Sequence, residues 1–233
     1  MIGSGQAGEP LAIEFARAGF NTALLDRFTS GGSCVESGCP SSISLIASAN
    51  VARLARRAAD FGVRSGSVVV DFGKVQMRRQ AVMEASRSLA VQMLRDTPGL
   101  TTLKGNARFE SAGSLLVSAK EGEVVELRAQ RIFINTGVRP ALPELPGLAE
   151  VPYLTSSSAM ELDALPDHLL VLGGSYLGVE LGQMFRRFGS RVSIVERQSQ
   201  LLAREDRDIA ASVAGTRPSR SRKCLQPGAS PVW

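Results

Sequence analysis

Apolar residues recur along this chain with two different periods, and the changes of period mark out its elements. From Ser41 to about Phe61, Leu45, Ala49, Ala52 and the run Ala55–Ala59 fall near a 3.6-residue period, which predicts a helix. A second helix is predicted over Lys74–Asp96, closed by Pro98-Gly99. Arg78, Arg79, Arg87 and Arg95 read as its solvated face. Short β-like runs follow at Thr101–Leu103, Ser114–Ser118, Val124–Leu127 and Arg131–Ile134. Their spacing, with a turn at Lys120–Gly122, predicts an antiparallel meander. Thr136-Gly137-Val138-Arg139-Pro140 closes that section, and proline-rich Pro140–Pro152 reads as a passage to the next unit. No apolar run approaches the ~20 residues that a membrane-spanning helix needs.

One pattern occurs twice, at an offset of 170 residues. The first copy runs Met1-Ile2-Gly3-Ser4-Gly5-Gln6-Ala7-Gly8 to Leu25-Asp26, and the second runs Val171-Leu172-Gly173-Gly174-Ser175-Tyr176-Leu177-Gly178 to Val195-Glu196. Leu11, Phe15 and Gly19 align with Leu181, Phe185 and Gly189. Each copy ends in an acid 23 positions after its first glycine. A strand, a glycine turn, a helix, a second strand and a terminal acid form a dinucleotide-binding βαβ unit. The first glycine allows the tight turn, the second lets backbone approach a pyrophosphate, and the third permits close helix-to-strand packing. The helix N-terminus then faces the phosphates, and the acid accepts hydrogen bonds from ribose hydroxyls. Gly5 has Ser175 as its counterpart, a slightly more crowded approach. Only Met1 and Ile2 precede Gly3, against about five residues in an ordinary strand, so the first unit reads as clipped.

The chain has 233 residues, enough for one large domain or two small ones with real cores. Its net charge of +5 is concentrated at one end. Without Arg217, Arg220, Arg222 and Lys223 the body carries 23 basic against 22 acidic residues. A basic tail with neither aromatic interleaving nor a partner motif reads as unstructured, with no specific nucleic-acid role. From about Gly215 the composition turns to Thr, Arg, Pro, Ser and Gly, and the βαβ pattern stops. The end is expected to be an aberrant or truncated C-terminus over 213–233. The second parallel sheet would then keep an open apolar edge. No secretory leader is recognised, and the expected compartment is the cytoplasm.

Cys34 and Cys39 stand in Gly31-Gly32-Ser33-Cys34-Val35-Glu36-Ser37-Gly38-Cys39, just after the first nucleotide motif. Thiols separated by four residues can close a small disulfide ring. Cytosolic disulfides are usually transient or catalytic, so the pair reads as a redox centre beside a flavin. A buried thiol pair is the plain alternative. A zinc site is a weaker one, because it needs four ligands and only Cys224 and His168 remain, both distant in sequence. No resident metal is expected. His168, next to Asp167 before a β-like run, reads as a surface residue.

In order, these motifs resemble the flavin-dependent pyridine nucleotide–disulfide oxidoreductases, in particular their mercuric-reductase-like and dihydrolipoamide-dehydrogenase-like branch. The resemblance spans roughly residues 1–212. It implies an α/β fold of two Rossmann-like units, the second incomplete. Residues 1–145 would form an FAD-binding domain with the Cys pair and the meander, and 146–212 a partial NAD(P)-binding domain. Gly3, Gly5, Gly8 and Asp26 would hold the FAD pyrophosphate and ribose, with Gly32 and Ser33 lining the flavin. Thr136 and Gly137 would close over it. Cys34 would be the interchange thiol and Cys39 the charge-transfer thiol. Gly173, Gly178, Glu180 and Glu196 would serve NAD(P)H, with acidic Glu196 favouring NADH. The acceptor would be a disulfide or a metal ion, and the family's form is a homodimer with no membrane partner.

The chain departs from that family pattern at several points. The family's lysine after the second cysteine falls, without a gap, at Ile43. The family's interface domain, which gives an acid–base His-Glu pair to the partner subunit, is expected to be missing. Three readings therefore compete: an NAD(P)H-dependent flavoprotein reductase in incomplete form, a non-catalytic FAD- or NAD-binding fragment, and a polypeptide that does not fold stably.

Overall fold

A computed structural model describes residues 1–27, 39–119 and 122–215. Two compact units emerge, one of residues 1–42 and 78–153, the other of 43–77 and 154 onward. The dividing lines fall inside two long helices, α2 (Cys39–Arg56) and α3 (Phe72–Arg95).

The first unit begins with helix α1 (Gly8–Arg17), strand β1 (Thr22–Asp26) and, after α3, strand β2 (Leu100–Lys104). β1 and β2 pair in parallel, with Thr22 opposite Leu100. On the other side of β1, Ile2 bridges in parallel to both Leu25 and Ile134. This short start is therefore held between two neighbours. Ile2 donates to Phe133 O (2.8 Å), Gly3 to Leu25 O (2.7 Å) and Leu25 to Met1 O (2.9 Å). Two residues suffice here because each backbone group finds a partner across the sheet. α1 buries Ala12, Ile13 and Ala16 against Leu24 and Leu94, while Glu14 and Arg17 face solvent. Leu24 and Leu25 are both buried, as in a strand covered on two faces.

The meander lies in this unit, but not at all of the predicted runs. It consists of β3 (Asn106–Ser111), β4 (Ser114–Ser118) and β5 (Val124–Arg128), in antiparallel order β3-β4-β5. Thr101–Leu103 belongs to β2 and pairs in parallel with β1, and Ile134 bridges to Ile2. Asn106–Ser111 alternates weakly, with most of its side chains exposed, so its sequence carries little apolar signal. A short β-run does not reveal its partner, because parallel and antiparallel pairing use the same residue types.

The second unit contains helix α4 (Ser156–Met160), strand β6 (His168–Leu172), helix α5 (Tyr176–Phe188), strand β7 (Arg191–Val195) and helix α6 (Arg207–Gly215). β6 and β7 pair in parallel, His168 opposite Arg191. α5 buries Leu181, Met184, Phe185 and Phe188, an i, i+3, i+4, i+7 stripe. These pack with Leu45, Ala49, Phe72, Val192 and Ile194. Among the described residues β6 pairs with β7 alone. Leu170 and Leu172 are 54% and 50% exposed, so the second sheet is partial.

α3 runs close to its predicted limits, whereas α2 ends at Arg56, short of the predicted Phe61, and a separate 3-10 turn covers Ala58–Phe61. Of the four arginines assigned to a solvated face, Arg78 and Arg95 are exposed. Arg79 is not: it is 6% exposed. It falls on the stripe Phe72, Gln76, Arg79, Met83, which turns inward. A residue's hydropathy named the wrong face here, and helical spacing from Phe72 names the right one.

Candidate functional site

The two glycine loops are built alike. Gly3 and Gly173 adopt φ of +103° and +104°, a region that favours glycine. A Cβ on Gly8 would overlap the Gly3 carbonyl oxygen, and one on Gly178 would overlap that of Gly173. The third glycine thus lets the helix start press against its own turn. Gly5 is different. Among the described residues the nearest neighbour of a Cβ there is Asn135 Nδ2 at 3.3 Å, a side-chain end and not backbone. The fold makes a weaker demand for glycine at this point, and a ligand's approach gives a better reason.

Neither helix start is capped by its own sequence. Ala7 before α1 and Ser175 before α5 make no side-chain capping hydrogen bond. Uncapped N–H groups at the positive end of a helix suit an anion such as a pyrophosphate. The donors, the absent side chain at Gly5 and the dipole together fit a dinucleotide phosphate.

The terminal acids tie the loops down. The N–H of Ser4 donates to Asp26 Oδ2 (2.9 Å), and the Ser4 hydroxyl binds the same oxygen. In the second unit the N–H of Gly174 donates to Glu196 Oε2 (2.6 Å), and that of Gln198 to Oε1 (2.8 Å). Burial raises the Glu196 carboxyl. The N–H groups of Gln198, Gly174 and Arg197, with the Arg197 charge, outweigh it and hold the group below its ordinary value. The acid therefore has a structural duty besides any contact with ribose.

Two contributors were not legible as site residues. Ser4 is buried beneath the first loop. Asn135 packs under the glycines, its Nδ2 donating to Gly3 O (3.4 Å). A Cβ on Gly3 would overlap the Asn135 carbonyl oxygen. The one available signal for Asn135 was its place directly before Thr136-Gly137. Those two are exposed, Gly137 with φ +74°. Glu180 is exposed on α5. Cys39 is exposed at the first position of α2. Gly32, Ser33 and Cys34 lie outside the described residues, so the pairing of Cys34 with Cys39 does too. His168 is exposed, with Nε2 2.9 Å from Ser193 Oγ. Among the described residues no group of three His, Cys, Asp or Glu could hold a metal ion, and no helix is long and apolar enough to cross a membrane.

The sequence matches the pyridine nucleotide-disulphide oxidoreductase family over residues 1–217. The chain belongs to that family. A probable pyridine nucleotide-disulfide oxidoreductase, RclA of Escherichia coli (strain K12), is 36% identical over 217 residues, covering 92% of this chain and 45% of the relative. A mercuric reductase of Streptomyces lividans is 36% identical over 214 residues, covering 91% and 45%. In the solved structure of HOCl-induced flavoprotein disulfide reductase RclA from Escherichia coli, the similarity has a TM-score of 0.77 at 34% identity over 92% of this chain. Its Cu(II) complex gives a TM-score of 0.81 at 32% identity over 98%. The chain thus spans about half the length of the relatives it matches. This member of the oxidoreductase family has an α/β fold with two dinucleotide-type units, one of them partial.

Proposed function

We propose that this chain is the nucleotide-binding and thiol-bearing portion of a flavoprotein reductase that takes electrons from NAD(P)H and delivers them to a disulfide or metal-ion acceptor. The single observation that carries the reading is the matched build of the two loops, each with a pressed third glycine, an uncapped helix start and an acid bonded to the turn. Residues 1–145 would take FAD through Gly3, Gly5, Gly8 and Asp26, with Gly32, Ser33, Thr136 and Gly137 around the ring. Residues 146–212 would take the nicotinamide nucleotide through Gly173, Gly178, Glu180 and Glu196.

Bound flavin would supply the two-electron chemistry between nicotinamide and sulfur. The chain's own residues would do the rest. The helix starts neutralise phosphate charge, and Asp26 and Glu196 keep the turns in shape. Glu196 remains anionic at neutral pH, so a ribose 2′-phosphate would meet a carboxylate, which favours NADH. In the reduced state Cys34 and Cys39 hold two thiols. Cys34 as thiolate attacks an acceptor disulfide, forming a mixed disulfide and releasing one thiolate; Cys39 then displaces the second and closes the ring. The cytoplasm, where a dithiol stays reducible, is the compartment that suits this cycle. Assembly as a homodimer belongs to the same reading.

The test is direct. Purified chain is mixed with FAD, freed of excess and titrated with NADH. Retained flavin absorbance, bleaching by NADH and a thiol titre that rises by two support the reductase. Flavin retained without bleaching leaves a second reading, a binding fragment, which is favoured by the partial β6–β7 sheet among the described residues. A protein that retains neither flavin nor NADH sinks both.

A further inference from the structure

Among the described residues a single one other than glycine has a positive φ: Leu202, at +52°. A left-handed backbone is costly for a residue with a Cβ and persists only where the surroundings fix it. Leu202 is tied on both sides. Its N–H donates to Gly174 O (2.8 Å), and its carbonyl accepts from the Glu205 N–H (2.8 Å) just before α6. Beside it Leu201 is buried, and a Cβ on Gly174 would overlap the Leu201 Cδ2. The first copy of the motif has Ser4 where the second has Gly174, so the motif itself does not ask for glycine there; Leu201 does. Gln200 Nε2 donates to Glu205 O (3.1 Å) and closes the segment on itself. Residues 200–205 thus form a strap fastened to the second glycine turn.

The strap sets the direction of one peptide. Gly174 gives its N–H to Glu196 Oε2 (2.6 Å) and turns its carbonyl to Leu202. The peptides described are all trans, and in a trans peptide the C=O and the following N–H point opposite ways. The Ser175 N–H is therefore aimed away from the strap, at the start of α5. It has no hydrogen-bond partner among the described residues, and no side chain caps that helix. A flipped peptide would put a carbonyl oxygen where this donor stands, and a carbonyl oxygen repels phosphate. We infer that Leu202 is a positioning residue of the second nucleotide site: its strained backbone holds the Gly174–Ser175 peptide so that the Ser175 N–H meets a phosphate oxygen of the nicotinamide nucleotide. The inference rests on the reading of residues 146–212 as that nucleotide's unit.

The test measures NAD+ affinity by calorimetry on the full chain, well below its melting temperature, so that a loss of stability alone changes nothing. Leu202→Ile keeps the size and the N–H donor but adds β-branching, which disfavours the left-handed region, and is expected to weaken binding about tenfold. Leu202→Asn is close in size and suits that region, and is expected to stay within about twofold of the parent. A folded Leu202→Ile protein with the parent's affinity overturns the inference. So does Leu202→Asn weakened as much as Leu202→Ile, which would assign the effect to the side chain instead of the backbone. Should Leu202→Ile fail to fold, hydrogen exchange of the parent decides. Strap and nucleotide must favour each other equally, so saturating NAD+ is expected to slow exchange of the Leu202 amide about tenfold more than that of the β7 amides. Equal slowing at both overturns the inference. A parent that binds no NAD+ removes the nucleotide reading of this unit and this inference with it. A parent that binds NAD+, with affinity indifferent to Leu202→Ile, keeps that reading and loses this one.

Discussion

At the scale of single residues, the glycines separate two demands. A Cβ at Gly8 has a backbone carbonyl oxygen in its way, which cannot rotate aside. Gly8→Ala is expected to cost about 1–3 kcal/mol of stability and to abolish flavin retention together. Among the described residues Gly5→Ala meets only the end of Asn135, so unfolding should stay within about 0.5 kcal/mol of the parent while FAD affinity falls. Thermal melts and flavin stoichiometry on the same samples distinguish the two; equal destabilisation by both would remove the argument that Gly5 serves a ligand. Glu196 makes a pH prediction. Its folded carboxyl lies below the ordinary 4.5, so its tie to Gly174 contributes fully above that value and is lost as pH falls through the lower, folded one. The amide resonance of Gly174 should therefore hold constant near neutrality and titrate only below 4.5. A midpoint at or above it would contradict the geometry.

At the scale of elements, periodicity located the helices, while pairing had to be seen in three dimensions. α2 and α3 follow their apolar spacing, but the burial of Arg79 shows that a helix face is assigned by angle and not by residue type. α5 is the best determined element, since its four large apolar side chains share one stripe and its end is marked by Gly189. Phe185 is fully buried within that stripe. Phe185→Ala is expected to destabilise the second unit by about 3–5 kcal/mol, read as loss of amide protection in β6 and β7 before β1 and β2. Simultaneous loss in all four strands would show that the units unfold as one.

At the scale of the whole molecule, the two units differ in how far their sheets are completed. In the first, β1 is flanked by β2 and by the Met1–Gly3 stretch, which itself pairs on to Phe133–Asn135. In the second, β6 keeps Leu170 and Leu172 half exposed. Leu172→Lys is expected to leave the melting temperature nearly unchanged and to reduce light scattering at high protein concentration. A large fall in melting temperature would mean that the edge is already packed in solution. Ligand linkage adds a global measure. FAD at a hundred times its dissociation constant should add about 2.7 kcal/mol to the first unit, and no stabilisation at saturating FAD would exclude binding to the native chain.

The amino-acid order alone determined the doubled βαβ pattern, the long helices and the place of the acids, because each follows from local rules: glycine at a turn, apolar spacing along a helix and the fixed length of a strand–helix–strand unit. It could not determine which strands pair, since extended runs of Thr, Leu and Val suit either direction. Nor could it reveal Asn135 under Gly3 or Arg79 against Ser41, which stand 132 and 38 residues apart in the chain. Those contacts arise only when separate elements pack, and only then does a polar side chain on an inward stripe gain a partner.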